Sequence, residues 1–406
     1  MVTKYQDLTK PHRLINLRAQ LKNPTLIRID LNLPLANGGI SENNLRMQIY
    51  SHLIEIYSEY TGLVLMTHQG RPGSSTLIPL KRHWIALRRM LPSDVDIEYI
   101  PKDEVFSSKT KNKIKKLRKR EIILLDNMRL FPEEKKFDLN NSIHINFFKG
   151  VIKSCVNDAI PTWHRSNSSM MCLPYIAKTF IGTRSCHELK ALEDIRYEKN
   201  KALIMGGAKL QKISYLSKIL KTTSGFTGGL IGQLILAAKG FDLGKLNNRF
   251  IKGKFTDKEF EEAQTLSKKF KIECPVDFTI SEDGEKKNVP LKLMPHAKGP
   301  IMDIGEETLE KYANKLQEKE IRIRAGPLGI YERGYNKGVE LTKRIAGDGL
   351  LFLGGDTSQE IIDSGIYRHI LDAGGQVLIS GGAILHGLAG ERYPSIDLII
   401  EMQKNS

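Results

Sequence analysis

Continuous apolar runs alternate with amphipathic stretches along most of the chain. Each run is short and is bounded by Gly, Pro, Asn or Asp. The apolar runs cover residues 26–33, 62–66, 122–125, 202–205, 321–323, 350–353 and 377–379. Helix-like stretches between them include residues 45–60, 213–221, 257–270 and 306–316. Strands that alternate with helices form βαβ units, and strands buried on both faces lack polar alternation. The pattern therefore predicts an α/β protein with parallel sheets.

The polar residues that end these runs differ between the two halves of the sequence. Up to about residue 180 they are Arg, His, Asn and Asp, whereas after residue 200 they are mostly Gly with a single Lys or Asp. Between the halves, residues 186–200 form a polar, helix-like stretch suited to joining two domains. In parallel α/β sheets, ligands bind outside the carboxyl ends of the strands. We therefore expect an Arg- and His-rich site in one domain and a Gly-rich site in the other.

Arginine lies at or just past the end of four predicted strands in the first half. Alternation along residues 26–33 predicts that Arg28, Asp30 and Asn32 share one side of their strand. The remaining candidates follow the later runs or open the first long helix: His68, Arg71, Arg129, His164, Arg165 and Arg46. Converging guanidinium groups suit a carboxylate or a phosphate. The alternative is a set of unrelated surface arginines, but repetition over four strands favours a site. Both histidines are then interpreted as anion contacts rather than metal ligands.

Glycine motifs follow the runs of the second half. Paired glycines let a phosphate approach backbone amides. The motifs comprise Gly206-Gly207 with Lys209, Gly228-Gly229, Gly326-Pro327 leading to Glu332, Gly354-Gly355-Asp356-Thr357, and Ser380-Gly381-Gly382. One such pair is weak support, since turns use glycine constantly, but five in one domain favour a nucleotide site. No P-loop motif is present. Asp356 is a candidate Mg²⁺ carboxylate or a helix N-cap, and both roles are compatible.

The net charge of the chain indicates that the protein attracts anions. The chain of 406 residues is 40% hydrophobic and 27% charged, with a net charge of +16. Such a protein attracts nucleic acid, anionic lipid or phosphorylated metabolites. The basic run at residues 109–120 is either a nucleic-acid arm or a solvated helix face with Ile114 and Leu117 toward the core, and the second interpretation is favoured. No run predicts a membrane span, and a polar start at residues 1–10 predicts a cytoplasmic protein.

The order of these motifs resembles phosphoglycerate kinases, in a form similar to the archaeal branch. The matching segments are RIDLNLP, THQGRP, LLDNMRLFPEE, VNDAIPTWHRS, MGGAKLQK, TGGLIGQLILAAKG, PVDFTI, GPLGIYE, GGDT and SGGA, spread over residues 25–400. The resemblance implies two doubly wound, Rossmann-like domains. These are an acid-binding domain at 1–183, completed by a tail at 391–406, a hinge helix at 184–200 and a nucleotide-binding domain at 201–390. It also implies the reaction of 1,3-bisphosphoglycerate with ADP to give 3-phosphoglycerate and ATP, with Mg²⁺.

The resemblance also implies roles for individual residues. The acid site comprises Asp30, Asn32, Arg46, His68, Arg71, Arg129, His164 and Arg165. The nucleotide site comprises Gly206, Gly207, Lys209, Lys212, Gly228, Gly229, Pro327, Glu332, Gly354, Gly355, Asp356 and Thr357. Arg46 and Lys209 would act on the phosphoryl in transfer, Gly381 and Gly382 would stabilise it, Glu332 would bind the ribose, and Asp356 the metal.

The sequence departs from the family pattern at a few positions. Ala325 replaces an Asn, Ser380 replaces a Gly, and a shortened loop leaves Lys212 in place of the second lysine. We expect a monomer that binds neither membranes nor nucleic acid. The alternative is a non-catalytic relative that holds nucleic acid on its basic surface, and retention of Arg46, Lys209 and Asp356 favours the enzyme.

Overall fold

The computed structural model describes residues 20–36, 39–207 and 213–404. Backbone contacts divide the chain into two compact units. The first unit comprises Met1–Ala191 with Glu391–Ser406, and the second comprises Leu192–Gly390. The domain limits and hinge expected from the family resemblance remain a prediction.

The first unit is built on a parallel sheet. Its strands are β1 (Thr25–Ile29), β4 (Leu63–Met66), β5 (Asp96–Ile100), β6 (Glu121–Leu125), β7 (Ser154–Asp158) and β8 (Thr179–Ile181), in the spatial order β5-β6-β4-β1-β7-β8. Two short strands, β2 (Leu35–Ala36) and β3 (Gly39–Ile40), form an antiparallel pair. The helices are α1 (Leu45–Ser58), α2 (Lys81–Met90), α3 (Ser108–Lys116), α4 (Ile143–Phe148), α5 (Ser168–Met171), α6 (Leu173–Ile176) and, late in the chain, α17 (Pro394–Lys404). Helix α7 (Thr183–Tyr197) begins in the first unit and ends in the second.

The second unit contains another parallel sheet and a smaller antiparallel one. Strands β9 (Lys201–Met205), β10 (Ser224–Thr227), β11 (Ile272–Glu273), β15 (Ile321–Ala325), β16 (Leu350–Leu353) and β17 (Gln376–Leu378) have the order β11-β10-β9-β15-β16-β17. Strands β12 (Asp277–Glu282), β13 (Glu285–Pro290) and β14 (Ile301–Ile304) form the antiparallel sheet. The helices are α8 (Ile213–Ile219), α9 (Gly229–Ala238), α10 (Lys245–Lys254), α11 (Asp257–Lys269), α12 (Glu306–Gln317), α13 (Lys337–Arg344), α14 (Gly355–Asp363), α15 (Tyr367–Asp372) and α16 (Gly381–Leu388).

Burial explains why the strands appear as continuous apolar runs. Every residue of β1, β4, β7, β9 and β16 is buried. A strand buried on both faces has no solvent side on which polar residues would alternate. The prediction of an α/β protein with parallel sheets is confirmed, whereas the antiparallel sheet was not predicted.

The predicted strand at residues 26–33 extends too far. Strand β1 ends at Ile29, and the backbone then leaves the ladder. The amide of Leu31 donates to Thr67 Oγ1 at 2.8 Å, and that of Leu33 donates to Gln69 Oε1 at 2.8 Å. Because the neighbouring strand β4 stops at Met66, side chains of the following loop replace its backbone as hydrogen-bond partners. Asp30 and Asn32 are therefore loop residues, and only Arg28 lies within the strand.

The basic run at 109–120 forms much of α3 and the turn after it. Ile114 is fully buried and Leu117 is 7% exposed, and both belong to the core of the first unit. Several of its cations pair with acids: Lys109 with Glu104, Lys113 with Glu98, and Arg120 with Asp94 and Glu59. The prediction of a helix packed through Ile114 and Leu117 is confirmed. Within the described residues, no helix is both long and apolar enough to cross a membrane.

Candidate active site

The carboxyl edge of the first sheet brings together the basic residues that the sequence predicted. Asp30 is 2% exposed and lies at the centre of this group. Its Oδ2 is 3.2 Å from Arg46 Nη1, its Oδ1 is 3.7 Å from His68 Nε2, and the amide of Asn32 donates to Oδ1 at 3.0 Å. One carboxylate therefore orients three of the predicted residues.

Arg46 is held at the start of α1. The Asn44 side chain caps this helix by accepting a hydrogen bond from the Arg46 amide at 3.0 Å. The Arg46 guanidinium donates to the carbonyl oxygen of Asn32 at 2.8 Å, in addition to its contact with Asp30. These two contacts fix the guanidinium at the sheet edge, which is the placement expected of a group that must meet a substrate anion.

Arg28 is a further member of the cluster; the chain pattern grouped it with Asp30 and Asn32, but the family resemblance did not assign it to the acid site. It is fully buried, and its guanidinium donates to Ser169 Oγ at 3.0 Å, to the carbonyl oxygen of Ile29 and to His68 Nδ1. Because a guanidinium can only donate, His68 Nδ1 accepts and its proton lies on Nε2, which faces Asp30. The available signal was a charged residue inside an otherwise apolar strand.

His68 is neutral in this setting. Burial, followed by the nearby charges of Arg28, Arg129, Arg165 and Arg46, holds the pKa of His68 well below its usual value of 6.5. A neutral imidazole can donate one hydrogen bond to an anion without adding charge. The positive charge of this edge therefore comes from its arginines.

Arg129 and Arg165 lie close enough at this edge for their charges to affect each other. Burial and the charges of Arg165 and Arg28 lower the pKa of Arg129 to about 10. Burial lowers the pKa of Arg165, Asp30 opposes that shift, and Arg71 adds to it. Cations that depress one another's pKa repel one another, and an anion placed among them would relieve that repulsion.

The loop between β4 and α2 contributes the remaining contacts. The amide of Gly70 donates to Asn32 Oδ1 at 2.9 Å, and Arg129 donates to the Gly70 carbonyl oxygen. Gly70 has a φ of +75°, and a β-carbon there would collide with the backbone of Thr76. The turn therefore requires glycine and delivers exposed Arg71 to the edge. His164 joins through Arg165, whose Nε donates to His164 Nε2 at 3.2 Å.

Asn127 connects two of these loops and was also missed. Its Nδ2 donates to the carbonyl oxygens of Gln69 and Ile78, both at 2.8 Å. Its Oδ1 accepts from the amides of Gln69 at 3.0 Å and Arg129 at 3.1 Å. All eight predicted acid-site residues thus lie in one connected group, supported by polar residues whose role the chain pattern did not reveal.

The second sheet presents glycines at its carboxyl edge. The amide of Gly206 donates to the Ala325 carbonyl at 2.9 Å, and that of Gly207 to the Pro327 carbonyl at 2.6 Å. A β-carbon on Gly206 would collide with the Pro327 carbonyl oxygen. The loops after β9 and β15 therefore touch through backbone hydrogen bonds at these glycines. The predicted residues Lys209 and Lys212 lie outside the described residues.

The last two glycine motifs also meet. Gly354 precedes α14 with a φ of +113°, and Gly355 and Asp356 are the first residues of that helix. A β-carbon on Gly381, at the start of α16, would be 2.9 Å from the Gly354 Cα. The starts of α14 and α16 are therefore adjacent, and amides at helix starts attract phosphate. Thr357 is 4% exposed.

A cavity of about 820 Å³ lies beside Gly207 and Gly229, entirely within the second unit. Four predicted nucleotide-site residues line it: Gly207, Gly229, Pro327 and Glu332. Its other walls come from α10, through Leu246 and Phe250, and from β14. This volume is typical of small-ligand pockets. The sequence prediction did not include those walls, because exposed apolar residues on a helix carry no motif.

A buried ion pair lies beneath the glycine edge. Arg324 and Glu360 are 0% and 1% exposed, and Arg324 Nη2 is 3.1 and 3.3 Å from the two carboxylate oxygens. Arg324 also donates to the Gly326 carbonyl oxygen and lies over the Phe352 ring. Since Glu360 belongs to α14, the pair connects the Gly326-Pro327 loop with the helix that carries Asp356.

Residues 18–391 match the model of one protein family, phosphoglycerate kinase. The chain belongs to the phosphoglycerate kinase family. It is 31% identical to phosphoglycerate kinase of Sulfolobus acidocaldarius, over 97% of this chain and 96% of that protein. It is 30% identical to that of Pyrococcus furiosus, over 92% and 93%. The resemblance to archaeal members is confirmed.

Solved structures agree with this assignment. The crystal structure of phosphoglycerate kinase from Pyrococcus horikoshii matches with a TM-score of 0.79 and 29% identity, over 94% of this chain and 97% of that one. The structure from Coxiella burnetii matches with a TM-score of 0.72 at 24% identity, over 96% and 98%, and supports the fold. A member of this kinase family uses ATP and ADP as substrates, so the Gly-rich edge is its expected nucleotide site.

Proposed function

We propose that the chain catalyses reversible phosphoryl transfer between 1,3-bisphosphoglycerate and ADP, which gives 3-phosphoglycerate and ATP. The observation that carries the proposal is the arginine cluster around Asp30 and His68, in a chain that belongs to this kinase family. Its charge suits a small acid that bears both a carboxyl group and a phosphate. The reaction is the glycolytic step, and we expect it in the cytoplasm.

The acid is assigned to the first unit. Arg71, Arg129, Arg165 and His164 would contact its anionic groups, and His68 would donate a hydrogen bond from Nε2. Arg46, held by Asp30 and Asn32, would neutralise charge on the phosphoryl in transfer. Phosphoryl transfer depends on positioning and charge neutralisation more than on covalent chemistry. A pre-oriented arginine provides both.

The nucleotide is assigned to the second unit. Its base and ribose would occupy the cavity, with Glu332 on the ribose hydroxyls, and its phosphates would lie along the glycine edge. Lys209 would follow the transferring phosphoryl, and the amides at Gly381 and Gly382 would stabilise it. Since each substrate is assigned to a different unit, transfer requires closure, which we assign to a hinge at residues 184–200.

Mg²⁺ is proposed at Asp356. Magnesium in kinases is usually held by one or two carboxylates together with substrate phosphates. A single carboxylate as second residue of α14, at the carboxyl end of β16, fits that donor set. Among the described residues, no group of three or more His, Cys, Asp and Glu side chains forms a metal cage. When bound, the ion would neutralise charge on the nucleotide phosphates.

The test is ATP-dependent phosphorylation of 3-phosphoglycerate with Mg²⁺, followed in a coupled assay. We expect activity in the wild type and a loss of roughly a hundredfold or more in Arg46→Ala and in Lys209→Ala, the scale of removing one preorganised charge. Arg89→Ala is the matched control, because Arg89 is an exposed arginine of the first unit that pairs with Glu42 at 3.3 Å. It should retain wild-type activity.

Two results would contradict the proposal. One is a folded wild type that binds ATP but does not phosphorylate 3-phosphoglycerate. The other is an Arg46→Ala enzyme as active as Arg89→Ala. The same preparations test the expected monomer by light scattering.

A further inference from the structure

A single polar side chain interrupts the apolar helix α9. The helix has the sequence GLIGQLILAA, and Gln233 is its only polar residue. Gln233 is 5% exposed and lines the 820 Å³ cavity together with Gly229, one turn earlier on the same face. Among the described residues, the structure shows no hydrogen-bond partner for its carboxamide. A side-chain amide that faces a cavity without a protein partner is available to a ligand or water.

A second carboxamide lines the same cavity, from α10, and shows the contrasting case. Asn247 is 3% exposed and also lines the cavity. Its Nδ2 donates to the carbonyl oxygens of Leu243 at 3.0 Å and Gly299 at 3.3 Å, and its Oδ1 accepts from the Ile301 amide at 2.9 Å. Asn247 therefore holds α10 and β14 together, whereas Gln233 keeps both its donor and its acceptor for whatever fills the cavity.

The wall that α10 forms is suited to a flat aromatic ring. Leu246 and Phe250 lie one turn apart on α10, line the cavity and are 46% and 54% exposed. A nucleobase against them would cover apolar surface and place its polar edge toward another wall. A glutamine amide can form two hydrogen bonds with adenine, by accepting from the amino group and donating to a ring nitrogen.

We infer that Gln233 recognises the base and selects adenine by hydrogen bonding to its 6-amino group and an adjacent ring nitrogen. This inference rests on the proposed function, since it takes the cavity as the nucleotide site. Gln233 is a specificity residue: its loss should weaken discrimination between bases without removing the transfer chemistry.

The experiment compares ATP with purine riboside triphosphate, which lacks the 6-amino group. Wild type should prefer ATP by about tenfold or more in kcat/KM, because the altered base leaves the amide oxygen unpaired. Gln233→Met, which removes the amide from an unbranched side chain of similar length, should reduce that preference to within about twofold. Its KM for 3-phosphoglycerate and its kcat with saturating ATP should stay at the wild-type values. Gln233→Glu, which keeps the acceptor and loses the donor, should show intermediate selectivity.

Asn247→Ala is the matched control. It removes a carboxamide from the lining of the same cavity and should lower stability, but the ratio between the two nucleotides should stay at the wild-type value. The inference is overturned if Gln233→Met retains the wild-type ratio, or if wild type shows no preference for ATP. Should the wild type lack kinase activity, the proposed function fails, and calorimetric binding of the same two nucleotides to wild type and Gln233→Met still tests Gln233.

Discussion

Each of the two parallel sheets buries an arginine at the same place, but the two arginines have different surroundings. Arg28 and Arg324 are the fourth residues of β1 and β15, each the fourth strand of its sheet, and both are 0% exposed. Arg324 meets both oxygens of Glu360. Arg28 has no carboxylate within ion-pair distance among the described residues and instead contacts Ser169, Ile29 and His68.

This difference matches the two kinds of ligand that the edges would hold. The first edge keeps an excess of cations, so an anionic acid is attracted by charge. The second edge neutralises its buried arginine and presents backbone amides and an apolar cavity, so the proposed nucleotide would be bound through shape and amides. The buried arginine at this strand position thus adds positive charge to the edge of the first sheet, whereas in the second unit its ion pair holds a loop and a helix together.

Breaking the Arg324–Glu360 pair should have the largest effect on stability. Removing one partner leaves the other charge buried and unpaired, which costs about 3–5 kcal/mol. We expect Arg324→Leu and Glu360→Leu each to lower the free energy of unfolding of the second unit by that amount, measured by urea denaturation. The double variant should recover most of the loss, because it leaves no isolated charge.

A loss below about 1 kcal/mol in Arg324→Leu would show that water or relaxation reaches the site. The two buried arginines would then be equivalent, and the contrast between the units would fail.

We expect the first unit to lose stability at low pH. His144 is fully buried against Phe106, with ring centroids 5.4 Å apart, and neither of its ring nitrogens has a partner among the described residues. Burial, assisted by Arg28, lowers the pKa of His144 to about 4. The folded state therefore resists protonation, and stability falls as pH drops below about 6.5, where the unfolded chain takes up the proton.

We expect His144→Leu to remove about 2 kcal/mol of the difference in unfolding free energy between pH 8 and pH 5. Denaturant titration at the two pH values measures it. His52→Leu is the control, because the His52 side chain is 69% exposed and the substitution should leave the pH difference unchanged. If both substitutions behave alike, burial of His144 does not govern the acid response.

Surface charge should matter least. Lys113, on α3, forms an exposed pair with Glu98 of β5, and exposed pairs contribute roughly 0–1 kcal/mol. We expect Lys113→Met to change the free energy of unfolding by less than about 0.5 kcal/mol and to leave kcat/KM unaltered. The neighbouring change Ile114→Ala should cost about 2–5 kcal/mol, because Ile114 is fully buried. A large effect of Lys113→Met on activity would mean that the basic helix contacts a substrate or partner.

Much of the architecture was predictable because each sheet strand carries its own signal. Runs such as residues 202–205 and 350–353 correspond closely to β9 and β16, since full burial demands apolar side chains at every position. The end of β1 was not predictable, because Leu31 and Leu33 are apolar and only the loss of a neighbouring strand ends the ladder.

The residues of the candidate sites also divide into those that the sequence predicted and those that it did not. Charged residues at strand ends, such as Arg129 and Arg165, can be recognised in the sequence, and in the structure they lie at one edge of the first sheet. The hydrogen bonds of Asn127 and the Arg324–Glu360 pair, which hold the site loops in place, join residues far apart in the sequence. Local sequence patterns therefore did not predict them. The wall of α10 was missed for a related reason: Leu246 and Phe250 resemble ordinary surface residues until the cavity beside them is known.

The late helix α17 has a consequence for the order of assembly. It packs in the first unit, where Tyr393, just before it, meets Trp163 at 5.9 Å between ring centroids and Gln403 donates to the Thr179 carbonyl at 2.9 Å. The chain between the two parts of that unit is the whole second unit, within which Arg196 donates to the Gly387 carbonyl oxygen near its other end. A folded second unit therefore acts as a short tether in place of a long flexible loop. Because loop closure becomes entropically less costly as the loop shortens, the first unit gains its last helix most readily after the second unit has folded.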